Sequence, residues 1–202
     1  MEISIDIRIM AIPERKENDL ALCQQLPMAK VFYDTNHNGN FLNARRTWLF
    51  PTDKTHVLVL QDDVELCDNF LNYVTKVINK YPDKIITYFS LNRDTLYDTP
   101  YIKILNKQTY GLAVSIPTKL INNIWTYKCD DFFNPVNADD LQIKNAALYY
   151  DIDVIQINPN LVQHKNFSST CGNPQNRFSN IFINNTLQPI NWDTNKIMEL
   201  WE

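Results

Sequence analysis

Asp62 and Asp63 are adjacent carboxylates that follow directly on an apolar run, His56-Val57-Leu58-Val59-Leu60, with only Gln61 between. A continuous β-branched and apolar run this short suits a central strand covered on both faces, which puts the pair at the end of a buried strand. Two carboxylates there repel each other, and each is costly to desolvate. A hard divalent cation such as Mg²⁺ or Mn²⁺ removes the conflict, because carboxylate oxygens are its preferred ligands. The plainer alternative is that both face water and open the next turn. Three more polar clusters fall where strands are expected to end: Pro13–Lys16, Asp34–Gly39 and His164–Ser169. Ligands of open α/β sheets bind at the carboxyl ends of the strands. Any one cluster is also what an ordinary terminal turn looks like; their coincidence is what points to a site.

The elements that must position these residues follow from patterning. Residues 3–10 alternate apolar and polar and read as a first strand, followed by a Pro-containing loop and a helix over 18–26. Residues 29–33 form a second strand, and turn-rich residues 35–40 cap a helix beginning near Phe41. The strand over 56–60 leads to a helix over 68–80 capped by Asp68, then a strand over 84–89. Strands alternating with helices argue an α/β domain with a central, mostly parallel mixed sheet flanked by helices. Further on, strands are expected over 101–105, 110–116, 154–157 and 161–164, and helices over 117–127 and 138–149. The tail from residue 166 reads as loop. One domain over 1–202 is expected, with a first half over about 1–90, a second over about 100–170 and a tail over 171–202.

Composition narrows the classes. The 202 residues are 45% hydrophobic, enough for one sizeable core, and only 3 glycines accompany 10 prolines, which excludes Gly-rich linkers. The formal charge of −4 argues against a broad cationic face for DNA or membrane. Cys23, Cys67, Cys129 and Cys171 form no CxxC pair, so free thiols in a reducing compartment are expected rather than a structural zinc site. With no signal-like opening and no apolar run near the roughly 20 residues that span a bilayer, a cytoplasmic protein is expected. Frequent Asn, Ile, Lys and Tyr suggest an AT-rich genome, bacterial or phage.

The segment His56–Val64 resembles the strand and DxD-type motif of GT-A glycosyltransferases, where an acidic-Asp-Asp triplet ends an apolar run. The resemblance implies a single GT-A (Rossmann-like) domain, with Asp63 as metal ligand and Asp62 as a ribose or sugar contact. Gln61 stands where the family is usually acidic; it keeps hydrogen-bonding capacity without charge. Other segments resemble the family in order. Pro13-Glu14-Arg15 is similar to the loop that cradles the nucleotide base, and Asp34 joins the donor-binding set. Asn43-Ala44-Arg45-Arg46 resembles the helix carrying an Arg near the donor phosphates, a task that suits a guanidinium; a solvated helix face is the alternative. Gly111–Pro117 is similar to the strand after the sugar site, where Gly allows close backbone approach. Ala138-Asp139-Asp140-Leu141 resembles the acidic pair that supplies the catalytic base of inverting enzymes, with Asp140 first choice and Asp139 second; helix capping is the alternative. Pro159–His164 resembles a late P-x-L-x-Q-H segment in which His164 completes the metal shell. The resemblance thus implies a hexosyltransferase-type enzyme using Mn²⁺ or Mg²⁺ and a nucleotide sugar, a UDP-sugar first. Its acceptor would be a hydroxyl of a glycan, a protein or a modified DNA base. A nucleotidyltransferase of related fold is disfavoured by the lack of a Gly-rich loop after the first strand, and a non-catalytic binding module finds its support in Gln61.

Overall fold

The computed structural model describes residues 2–91, 101–105, 109–127, 138–165, 167, 179, 182–184 and 194–201; for 101–105, 194 and 201 only the backbone is described. Strands β1 (Ile5–Ala11), β2 (Lys30–Tyr33), β3 (His56–Gln61), β5 (Ile85–Thr87), β6 (Tyr101–Leu105), β7 (Ala113–Pro117) and β8 (Val154–Asn158) form one sheet in the order β2-β1-β3-β7-β5-β8-β6. β2, β1, β3, β5 and β8 run one way, and β7 and β6 run against them. Two short strands, β4 (Val64–Leu66) and β9 (Val162–His164), pair antiparallel outside it. The expected α/β class with a mostly parallel mixed sheet is what the chain adopts.

Helices cover both faces. β3 shows why: Leu58 and Leu60 enter one core, with Leu22 and Leu26 at helix α1 (Lys16–Gln25) and Val74, Val77 and Ile78 of α3 (Phe70–Lys80). Val57 and Val59 enter the other, with Trp48 of α2 (Asn40–Leu49), Ile124 and Trp125 of α4 (Thr118–Thr126) and Ile143, Ala146 and Ala147 of α5 (Asp139–Tyr149). Each fully buried side chain of this size contributes about 1.5–3 kcal/mol, so a strand apolar on both faces is anchored from both sides.

The first strand forms as expected, and its polar residues Asp6 and Arg8 are buried. Arg8 donates to Asp6 (Nη2–Oδ2 2.6 Å) and to the carbonyls of Thr47, Trp48 and Phe50 at the end of α2, so the polar face is closed by an ion pair and a helix terminus. Two other expectations need correction. Asp68 does not cap α3; Asn69 precedes it in the left-handed region (φ 56°) with no side-chain cap bond. The tail read as loop contains α6 (Thr194–Trp201), whose Ile197 is buried in the α1/α3 core. Ser168 and Ser169, most of the tail, and Cys129 and Cys171 lie outside the described residues.

Candidate functional site

β3 ends between the two helical layers, and pleating sends its last residues alternately to each. Asp62 follows Leu60 and Leu58 toward the α1 side; Gln61 follows Val59 and Val57 toward the α5 side. The site therefore straddles the strand end.

On the α1 side, the chain leaves β1 through a 3₁₀ turn, Pro13–Arg15, that runs straight into α1. Pro13 is exposed, while Arg15 turns its guanidinium back over the acid pair. One nitrogen, Nη1, donates to Asp62 Oδ1 at 2.7 Å and to Asp63 Oδ2 at 2.9 Å. The second Asp62 oxygen accepts the Ile12 amide at 2.9 Å. Burial pulls the Arg15 pKa down, but the two carboxylates more than offset it and hold it above its ordinary value. Burial raises the Asp62 pKa, with Arg15 opposing. The ring of Phe167 lies 5.4 Å from the guanidinium carbon, within cation–π range.

The β4–β9 ladder delivers His164. Val64 pairs with His164, so Asp63 lies one step beyond and its carbonyl accepts the Lys165 amide at 2.7 Å. This register sets His164 Nε2 3.5 Å from Asp63 Oδ2. Gln163 points elsewhere, its amide donating to the Ser179 carbonyl. The other oxygen of Asp63, Oδ1, is buried with no hydrogen-bond partner among the described residues. A buried carboxylate oxygen without a donor is costly, and a divalent cation held by Asp63 and His164 would satisfy it. Among the described residues no group of three or more His, Cys, Asp or Glu side chains could hold a metal, so such an ion would take its remaining ligands from substrate and water.

On the α5 side the centre is Asp139. It opens α5 and is 3% exposed, with Asn40 Nδ2 donating to Oδ1 at 3.1 Å. Gly111 lies against it: a Cβ there would meet Asp139 Oδ1 at 2.9 Å, Oδ2 at 3.0 Å and Gln61 Nε2 at 3.1 Å. The close approach expected of Gly111 is thus to a carboxylate and to Gln61. Burial first, and Asp140 second, push Asp139 up to about 7. Asp140 is partly exposed, and its Oδ1 accepts the amide of Leu141, the next residue. Helix phase separates the two: Ile143, Ala146 and Ala147 are buried at the positions four, seven and eight after Asp139. That stripe was in the sequence and marks Asp139, not Asp140, as the inward member.

Arg45 and Arg46 are not brought to the acid pair. The buried face of α2 is Asn43, Ala44, Thr47 and Trp48, and both arginines are exposed on the other side. Arg46 Nη2 donates to the Tyr33 carbonyl at 2.5 Å and to Asn43 Oδ1 at 2.8 Å. Asp34 is also occupied locally, its oxygens accepting the amides of Asn38 and Gly39 at 2.9 Å each. The sequence reading missed the α1 residues behind the acid pair. Asn18 donates to the Asp62 carbonyl and accepts from Lys165. Asp19 is 1% exposed, in phase with Leu22, and is pushed up to about 6 by burial first and by Asp62 beside it.

No family model matches the chain, and no curated protein matches it in sequence. Among solved structures it is similar to GalNAc-T7 with UDP, GalNAc and Mn²⁺, at 9% identity and a TM-score of 0.49, over 84% of this chain and 45% of that one. It is also similar to a mutant Drosophila β1,4-galactosyltransferase 7 in complex with manganese, UDP-Gal and xylobiose, at 9% identity and a TM-score of 0.41, over 84% of this chain and 69% of that one. The chain spans under half the length of the GalNAc-T7 structure.

Proposed function

We propose that this chain is a metal-dependent glycosyltransferase of the GT-A type, transferring a sugar from a nucleotide-sugar donor, a UDP-sugar first, to an acceptor hydroxyl with inversion. One observation carries the reading: the end of β3 holds two kinds of carboxylate on its two sides. Asp63 lies against the cationic Arg15 and against His164, with one buried oxygen unsatisfied. Asp139 is buried against Asn40, and burial pushes its carboxyl up to about 7. The first environment suits binding a cation and the anionic part of a donor; the second suits taking a proton.

In this reading Asp63 and His164 hold Mn²⁺ or Mg²⁺, which when bound supplies charge to stabilise the leaving diphosphate. Arg15 supplies a guanidinium at the same place, and it takes over the phosphate role that the sequence reading gave to Arg45 and Arg46. Asp139, rather than Asp140, is the general base that removes the proton from the attacking acceptor hydroxyl. A carboxyl whose proton affinity lies near neutral pH drives that transfer better than one at the ordinary value. Asn40 and Gly111 fix its position, and Gln61 lies beside it as a neutral hydrogen-bonding group where a further negative charge would oppose its ionisation.

The test is a thermal-shift screen of UDP-, GDP- and CDP-sugars with and without Mn²⁺, since a ligand of the folded state raises its melting temperature. The expected result is stabilisation by a nucleotide sugar that requires the metal and is lost in Asp63→Asn. Stabilisation by no nucleotide sugar under either condition refutes the proposal.

A further inference from the structure

The Arg15 guanidinium sits on Asp63 Oδ2, the same oxygen that faces His164 Nε2 at 3.5 Å. It also bridges to Asp62 through the same nitrogen. A dication held by His164 and by Asp63 through its Oδ1 would therefore lie beside a fixed positive charge already bound to the same carboxylate. Side-chain exposure there is 10% for Arg15 and 9% for Asp63, so water screens the repulsion poorly. The two cations become compatible only if an anion comes between them or if the guanidinium leaves the acids. A diphosphate does both, because its oxygens match the guanidinium fork and carry enough charge to hold it.

We propose that Arg15 is a transferable counter-ion: it neutralises Asp62 and Asp63 in the free chain and passes to the donor diphosphate on binding, so that metal and nucleotide enter together. This rests on the metal site proposed above. It goes beyond that site in making binding synergistic and in naming one residue as the source of the coupling. The position of Arg15 suits the handover. It ends a three-residue turn rather than lying within a strand, and the Phe167 face holds the guanidinium by an interaction that does not depend on the acids.

The experiment is Mn²⁺ binding to the full chain, read from the loss of the free-ion electron paramagnetic resonance signal, with and without UDP. For the unaltered protein, Mn²⁺ is expected to bind weakly alone and at least about tenfold more tightly with saturating UDP, a coupling that must be reciprocal. In Arg15→Ala, Mn²⁺ alone is expected to bind at least about tenfold more tightly than to the unaltered protein, and the enhancement by UDP to collapse. Arg15→Lys, which keeps a charge without the fork, is expected to fall between and serves if the alanine variant does not fold by circular dichroism. Mn²⁺ binding alone that is no tighter in either variant overturns the handover, as does equal Mn²⁺ affinity with and without UDP in the unaltered protein. Asp63→Asn separates the two levels. Mn²⁺ binding that survives it unchanged, or that occurs in no arm, refutes the metal site itself and the handover with it.

Discussion

Replacing Asp139 with Asn should make the protein more stable at neutral pH while abolishing transfer. The carboxyl is 3% exposed, and its proton affinity is raised from 3.8 to about 7 by burial first and Asp140 second. At about 1.4 kcal/mol per tenfold change in proton affinity, ionising it in the folded state costs up to about 4 kcal/mol relative to the unfolded chain. The sign follows from proton counts. Below about pH 4 both states hold the proton and nothing is lost. Between about 4 and 7 the unfolded chain has released it and the native chain has not, so stability falls as pH rises; above about 7 the full cost is present. Asn cannot ionise and still offers Oδ1 to the Asn40 amide. Urea unfolding of the two proteins from pH 4.5 to 8.5 should therefore show near-equal stability at the acid end, with the variant ahead by about 2–4 kcal/mol at the alkaline end. Asp19 titrates in both and cancels. A difference that stays flat across this range would refute the assignment of Asp139 as a buried, high-affinity carboxyl and remove its claim to be the base.

Other outcomes are expected. Gly111→Ala places a methyl within 2.9 Å of Asp139 Oδ1; calorimetry should find UDP binding kept and turnover assays a loss of rate, with about 1–3 kcal/mol of stability lost to overpacking. Arg8→Met strips the carbonyls of Thr47, Trp48 and Phe50 of this donor and leaves Asp6 with Lys30 and Thr52. Urea midpoints should fall by an amount equivalent to about 3–5 kcal/mol. Arg46→Ala, on the exposed face of α2, should change stability by no more than about 0.5 kcal/mol and leave calorimetric UDP binding intact; a large loss of binding would restore the phosphate role to that helix.

What could be read from the chain in advance depended on whether the deciding contact was local. β3 was legible because a run apolar on both faces has few other uses, and its abrupt polar end placed Asp62 and Asp63 just past the carboxyl end of a buried strand, where they lie. β1 was legible as a strand but the burial of its polar residues was not: nothing near Asp6 and Arg8 announces that the carboxyl end of α2 arrives to accept from Arg8. Which of Asp139 and Asp140 faces inward was readable from helix phase, in the stripe of Ile143, Ala146 and Ala147. Arg15 could be suspected but not placed. Its grip on both acids depends on a turn geometry and a strand register separated by more than forty residues. Arg45 and Arg46 were attractive as residue types, and only the apolar face of their helix shows that they point away.

The position of β7 bears on how the chain can be made. β3 receives β1 along one edge from residues already synthesised, but its other edge is closed by Ala113–Pro117, and the side chains of Val57 and Val59 are covered in part by α4 and α5, later still. While the chain emerges from the ribosome, the segment that carries the acid pair is a hydrophobic strand with one ladder of amides and carbonyls unpaired. Such an edge is a template for pairing with other chains. The first half, although it reads as a tidy run of strands and helices, is therefore not a piece that evolution or an engineer can move alone. The strand that shields it is encoded in the second half, which ties the two together in inheritance as well as in space.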